Sequence, residues 1–352
     1  MHPKNHHLRW QMAAKRQKVK RQPLPAQEAA SLYLPLSTHV LTWGERITFN
    51  LYIKVLDKGT GGIVELKYQP LAEVGEVLPP EWCQTLSNAR IDRLYFHRRD
   101  VDTVIAYLNN HLLLKGDEPE NTQEKSHLLR EHLNLSLINS FDSPHLGRNL
   151  KLMKDTLQHL LPLLLPEQTP WKLLSELLYR DYTIYQHSVN VGTLAMAMGV
   201  FLRKSQRDCV VLGMAGLFHD LGLTRLDKEL VNKRETLTRE EWELLKTHPS
   251  LGYQLLKGNP EMPLAALRLV LEHHEAADGS GYPQGLPLHR QHPLTRILFL
   301  AEAYDGLTTH RPYRQAYTPF AALKILQGKT GKAGPACDSQ TLKDFIRFLA
   351  FS

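Results

Sequence analysis

The chain has 352 residues, 42% of them hydrophobic, which is enough for two domains with real cores and too apolar for global disorder. The net charge is +7, but Lys4, Arg9, Lys15, Arg16, Lys18, Lys20 and Arg21 place it all in residues 1–22, and beyond them 36 basic residues face 36 acidic ones. That balance excludes a body built to bind double-stranded nucleic acid, and no run reaches the about 18 apolar residues of a transmembrane segment. Cys83, Cys209 and Cys337 lie far apart with no C-x-x-C spacing, as expected of reduced thiols in a cytoplasmic protein.

In chain order, residues 1–22 read as a basic disordered tail, with no apolar run after it to make a signal peptide. Residues 23–114 read as a small α+β regulatory or interaction domain. Alternation predicts a strand over 47–55, a glycine turn over 57–62 and a returning strand over 63–68. Pro79-Pro80 precedes a short helix, and 93–97 is a further strand. The helix ending at Leu114 begins at a cap from Asp100 or Asp102. A polar stretch at 116–125 opens a region of linker and connecting helices over 115–164. Helical spacing then dominates, over 170–203, 206–222, 239–257, 263–275, 293–308, 319–328 and 339–350. Thr238 with Glu241 makes a capping box for the third of these.

Chemistry concentrates between 187 and 305. His187, His219-Asp220, His248, His273-His274, Glu302 and Asp305 supply more imidazole and carboxylate groups than one ion can use. Such a set suits a two-metal centre, and two-metal sites cut phosphoester bonds. Asp220 can bridge the ions through its two oxygens, with histidines in terminal positions. A water between the ions then ionises near neutral pH and attacks phosphorus in line. The mixed nitrogen and oxygen set favours Fe, Mn, Co or Zn over Mg or Ca. Adjacent helical residues point about 100° apart, so His273 and His274 are expected to serve neighbouring ions.

The linear order is specific. His219-Asp-Leu-Gly222 is followed by Leu237-Thr-Arg-Glu-Glu241, His248-Pro249 and His273-His-Glu-Ala-Ala-Asp-Gly-Ser-Gly-Tyr-Pro283. Then come Ala301-Glu-Ala-Tyr-Asp305 and Arg311-Pro-Tyr-Arg314. Over 165–352 this pattern resembles the HD-GYP family, a branch of the HD hydrolase superfamily. The resemblance implies a mainly α protein: an all-helical C-terminal HD-type domain preceded by the small α+β domain. It implies hydrolysis of cyclic di-GMP to pGpG or GMP at two divalent ions, Fe or Mn. The ligands would be His187, His219, Asp220, His248, His273, His274 and Glu302, with Asp220 as the catalytic bridge. Gly279, Gly281 and Pro283 would shape a loop beside the site, and Tyr282, Arg311 and Arg314 would bind substrate. The N-terminal domain resembles modules that dimerise or bind a protein partner.

Three positions depart from the family pattern. Thr183 stands where some members carry a glutamate for a third metal, so two ions are expected. Leu223 replaces a phosphate-contacting lysine, for which Arg225 or Lys228 are the nearby substitutes. Glu302 replaces the usual aspartate, one methylene longer, and leaves Asp305 as a supporting acid. The rival readings are a catalytically silent module that binds a cyclic dinucleotide or a protein, and a hydrolase of another cyclic dinucleotide such as cyclic GMP-AMP.

Overall fold

The computed structural model describes residues 32–58, 64–114, 122–142, 146–165, 177–179, 183–310, 314–328 and 336–350. The basic tail, the tip of the glycine turn and Arg311 lie outside the described residues. The chain divides into two compact units, Met1–Leu135 and Ser136–Ser352, so the expected connecting region contributes to both. The mainly helical architecture with one small sheet agrees with the fold class read from the sequence.

In the first unit, β1 (Tyr33–Ser37), β2 (Leu51–Lys58), β3 (Val64–Ala72) and β4 (Arg93–His97) form an antiparallel sheet in the order β1-β4-β2-β3. β1 was not expected. It is five residues long with Pro35 at its centre, and its edge position is where a strand tolerates proline. β2 begins later than the expected strand. Ile47 and Phe49 keep the alternation and are buried, but the Ile47 backbone pairs with Gly75 and Glu76 in the loop after β3. Helix α1 (Glu81–Asn88) follows Pro79-Pro80 as expected. Helix α2 (Val101–Leu114) continues from a 3-10 turn at Arg98–Asp100. That turn is capped by the His97 side chain, which accepts from Arg99 N, so the cap lies further upstream than the sequence suggested. The Phe49 ring sits between Phe96 of β4 and Tyr107 of α2, with centroids 6.0 and 5.4 Å away. Helix α3 (Thr122–Asp142) runs through the point of division.

The second unit contains α4 (Leu146–Leu164), α5 (Ile184–Phe201), α6 (Gln206–Phe218) and a 3-10 turn at Leu221–Arg225. There follow α7 (Lys228–Val231), α8 (Arg239–Leu245), α9 (His248–Leu256) and α10 (Leu264–Glu272). Last come α11 (Thr295–Thr308), α12 (Pro319–Leu326) and α13 (Ser339–Ala350). Helix α5 is buried from Gln186 to Gly199 because it crosses α6 almost in backbone contact. A Cβ on Gly216 would stand 2.4 Å from Cα of Gly192. A second close approach seats the 3-10 turn on α9, where a Cβ on Gly222 would meet the His248 carbonyl at 1.9 Å. The single helix expected over 239–257 is two helices. Pro249 has no N–H to continue the ladder, and α9 starts afresh at His248. The capping box on α8 is present as expected.

Gly216→Ala is expected to destabilise the second unit by about 3 kcal/mol, at the upper end of ordinary overpacking. A urea midpoint equal to wild type would refute the close α5–α6 crossing.

Candidate metal centre

Three histidines reach the centre by one local device. His219 follows the last residue of α6, and its Nδ1 donates to Gly216 O at 2.8 Å. His273 follows α10, and its Nδ1 donates to Val270 O at 2.7 Å. His248 opens α9, and its Nδ1 donates to Leu245 O at 2.8 Å. Each ring bonds the carbonyl three residues back, at a helix end where that carbonyl lacks its usual partner. At Leu245 the missing partner is the N–H that Pro249 does not have. With Nδ1 as donor, Nε2 is the nitrogen that can ligate.

His187, inside α5, is held differently. Its Nδ1 donates to Oδ2 of Asp305 at 2.6 Å, and Oδ1 of Asp305 accepts from Asn190 Nδ2 at 2.7 Å and Thr309 Oγ1 at 3.0 Å. The expected supporting role of Asp305 thus has a defined geometry. Asn190 had no signal in a single sequence, because it meets Asp305 only when α5 and α11 pack, whereas Thr309 reaches Asp305 one turn back from the C-cap of α11.

Two groups of three residues have ligand atoms within 4.8 Å of one another: His187, His219 and Asp220, and His248, His273 and His274. Asp220 links them. Its Oδ2 lies 3.2 Å from His219 Nε2 and its Oδ1 3.3 Å from His248 Nε2. His273 and His274 belong to one group rather than to two, with ring centroids 4.2 Å apart. Glu302 projects from α11 with Oε1 3.5 Å from His274 Nδ1.

Two observations fit these residues to a cation. Nε2 of His248 and Nε2 of His273 face each other at 3.1 Å, although both rings already spend their protons on carbonyls. Two nitrogens about 2.1 Å from one shared ion stand about 3.0–3.4 Å apart, so a common ion turns this repulsion into coordination. Nε2 of His219 is fully buried and stands 3.2 Å from Asp220 Oδ2 in poor hydrogen-bond geometry, an arrangement that an ion shared by the two would satisfy.

Burial pulls the His219 imidazole down, and Asp220 beside it more than reverses this, carrying it up to about 9. Burial opposes ionisation of Asp220, but His219 and His248 hold its carboxyl well below the usual range. Burial and neighbouring histidines push His273 and His274 well below the ordinary imidazole value. Without an ion the cluster therefore holds its proton on His219 beside an ionised Asp220.

The 275–286 loop closes one side. Its scaffold is Glu275, buried, whose carboxylate accepts from Gln284 N and Leu286 N at 2.7 Å each. The sequence reading gave Glu275 no role. Gly281 is obligatory, since a Cβ there would meet Ala276 N at 2.2 Å, and Gly279 has φ +80°. Pro283 follows a cis peptide bond. The loop lays Tyr282 against His274, with centroids 4.6 Å apart. Burial, and then the charges of Glu302 and Asp220, raise the Tyr282 phenol, so it stays a neutral donor.

The remaining expected residues fall elsewhere. Arg314 donates to the carbonyls of Gly306, Leu307 and Gln315, which ties it to the end of α11. Thr183 accepts from Gln186 N and caps α5. Leu223 lies half-buried in the 3-10 turn, with Arg225 and Lys228 exposed nearby.

Residues 172–336 match the HD domain family model. The chain is 36% identical over 156 residues to the cyclic di-GMP phosphodiesterase response regulator RpfG of Xanthomonas campestris pv. campestris, covering 43% of this chain and 40% of that protein. It is 30% identical over 167 residues to the cyclic di-GMP phosphodiesterase PA4108 of Pseudomonas aeruginosa, covering 47% and 39%. It is 33% identical over 142 residues to the 3'3'-cGAMP-specific phosphodiesterase 3 of Vibrio cholerae, covering 40% and 30%. The chain thus spans about two-fifths or less of the curated relatives it matches. In fold it is similar to Bd1817, a HDG"Y"P protein from Bdellovibrio bacteriovorus, with a TM-score of 0.64 at 20% identity over 90% of this chain and 99% of that one.

Two outcomes follow from the geometry. Asp305→Asn is expected to weaken divalent-ion binding at the His187 group by about 10–100-fold, read by equilibrium dialysis; unchanged affinity would remove Asp305 from the site. Ion uptake at pH 7 is expected to displace the His219 proton, whose pKa is about 9. Calorimetry in buffers of different ionisation enthalpy checks this, and buffer-independent heats would contradict it.

Proposed function

We propose that the second unit, whose residues 172–336 match the HD domain family model, is a hydrolase of the HD-GYP kind that converts cyclic di-GMP to pGpG or GMP. The observation that carries this reading is the Asp220 carboxylate, whose two oxygens face two separate histidine groups. Relatives named as cyclic di-GMP phosphodiesterases support the substrate class.

Two divalent ions, Fe or Mn, are proposed to be held by His187, His219 and Asp220 on one side and by Asp220, His248, His273 and His274 on the other. The soft-to-borderline imidazoles with few carboxylates favour these metals over Mg or Ca. Such ions, when bound, supply a hydroxide nucleophile at neutral pH and neutralise charge developing on the attacked phosphodiester. Glu302 adds a carboxylate beside His274, and Asp220 and Glu302 set the negative charge of the ligand shell. Asp305 fixes the His187 ring, and the helix-end carbonyls fix His219, His248 and His273, so no ring has to reorient during turnover.

Tyr282, kept protonated and packed on His274, is proposed to donate to a substrate oxygen. Gly279, Gly281 and Pro283 shape the loop that presents it. The assignment of Arg311 and Arg314 to substrate phosphate is kept as a proposal. Arg314 would have to exchange its three carbonyl partners for phosphate oxygens. We assign the first unit to regulation, through dimerisation or a protein partner. We place the protein in the cytoplasm, where Cys83, Cys209 and Cys337, all unpaired, stay reduced. Among the described residues no helix is long and apolar enough to cross a membrane.

Anaerobically purified protein loaded with Fe(II) or Mn(II) is expected to convert cyclic di-GMP to pGpG or GMP. Asp220→Ala is expected to lower turnover by at least about a thousandfold, the scale of losing a preorganised catalytic group. Two bound ions with no turnover of cyclic di-GMP would overturn the assignment; turnover of cyclic GMP-AMP alone would redirect it.

A further inference from the structure

Helix α8 contributes no buried residue, yet it is held firmly. Its capping box joins Thr238 and Glu241, and Lys233 donates to both oxygens of Glu241 at 2.6 and 2.7 Å. On this helix Trp242 is 44% exposed. The helix is thus anchored at its N-terminal turn, and the surroundings of Trp242 point to what the ring does. The Trp242 ring stands 6.3 Å from Tyr282 at 77°, and Tyr282 packs on His274. Lys246 closes the same corner, with Nζ 5.8 Å from the Trp242 ring and 6.0 Å from the Tyr282 ring. Two aromatic faces and a cation thus line one rim of the proposed metal centre.

We propose that Trp242 and Lys246 form a nucleotide subsite, in which Trp242 stacks on a purine base and Lys246 holds the phosphate that is not being cleaved. This rests on the hydrolase reading and names how the same site selects a dinucleotide over a simple diester. An exposed indole offers a flat face to any base, and an ammonium suits a phosphate as a point charge. Lys246 currently donates to Glu243 at 2.8 Å. The Glu243 side chain is 59% exposed, so the pair is screened and readily exchanged for a phosphate. The cation lies two residues before His248 in the chain.

The test compares two diesters on the manganese-loaded chain: cyclic di-GMP, and methyl p-nitrophenyl phosphate, which has neither base nor second phosphate. Trp242→Ala is expected to raise KM for cyclic di-GMP about tenfold, the scale of one lost base stack, with kcat nearly unchanged. The small ester should be hydrolysed as by wild type. Lys246→Met should do the same and flatten the salt dependence of KM. Glu243→Gln, which releases Lys246, should lower KM. A direct reading comes from fluorescence: cyclic di-GMP should quench tryptophan emission in wild type and not in Trp242→Phe. Equal losses on both esters, an unchanged KM, or a quench retained in Trp242→Phe would overturn the subsite. Wild type that turned over neither ester would sink the hydrolase reading instead, and the quench would then decide the subsite alone.

Discussion

Five imidazoles packed around one carboxylate form the interaction on which the second unit depends. Asp220 reaches histidines on both sides, from the ends of different helices, and burial makes every unpaired nitrogen there expensive. A cluster of this kind is tolerable only if each ring has one nitrogen committed to protein and the other aimed at a shared charge. The structure meets that condition for four of the five rings, with backbone carbonyls at three helix ends and Asp305 behind His187, while His274 faces Glu302 at 3.5 Å.

The helix ends therefore serve as more than boundaries. Carbonyls at helix C-termini have no N–H to accept from, and they carry partial negative charge. Using them to bind imidazole N–H groups satisfies the backbone and fixes the ring tautomer in one step. Pro249 belongs to this logic, because it splits α8 from α9 and leaves the Leu245 carbonyl for His248. The glycines at 192, 216 and 222 act one level below. They let α5, α6, the 3-10 turn and α9 approach until the rings meet.

The centre is rigid behind and adjustable in front. Glu275 pins the 275–286 loop through two backbone N–H groups, and Glu272 accepts from His292 N and Thr295 Oγ1 to anchor the start of α11. Helix α8 buries none of its side chains. Chemistry is thereby assigned to the buried ligands, and discrimination among phosphodiesters to the half-exposed rings and cation at the rim.

The sequence by itself determined the class of fold, most helices from α6 onward apart from α7 and the break between α8 and α9, and the residue types of the candidate site, because period and residue chemistry are local properties. His219-Asp220, His273-His274 and the Gly279–Pro283 loop were legible as a constellation for the same reason. Tertiary structure alone decided the rest. It made β1 a strand through its partner β4, placed His273 and His274 in one group, tied Arg314 to the end of α11, and gave Asn190, Glu275 and Thr309 their roles. Some of these rest on contacts between segments distant in the chain, as β1 with β4 and Asn190 with Asp305, and the others on where a helix stops or how a loop folds back on itself, and neither a period nor a motif encodes which carbonyl or carboxylate will be waiting there.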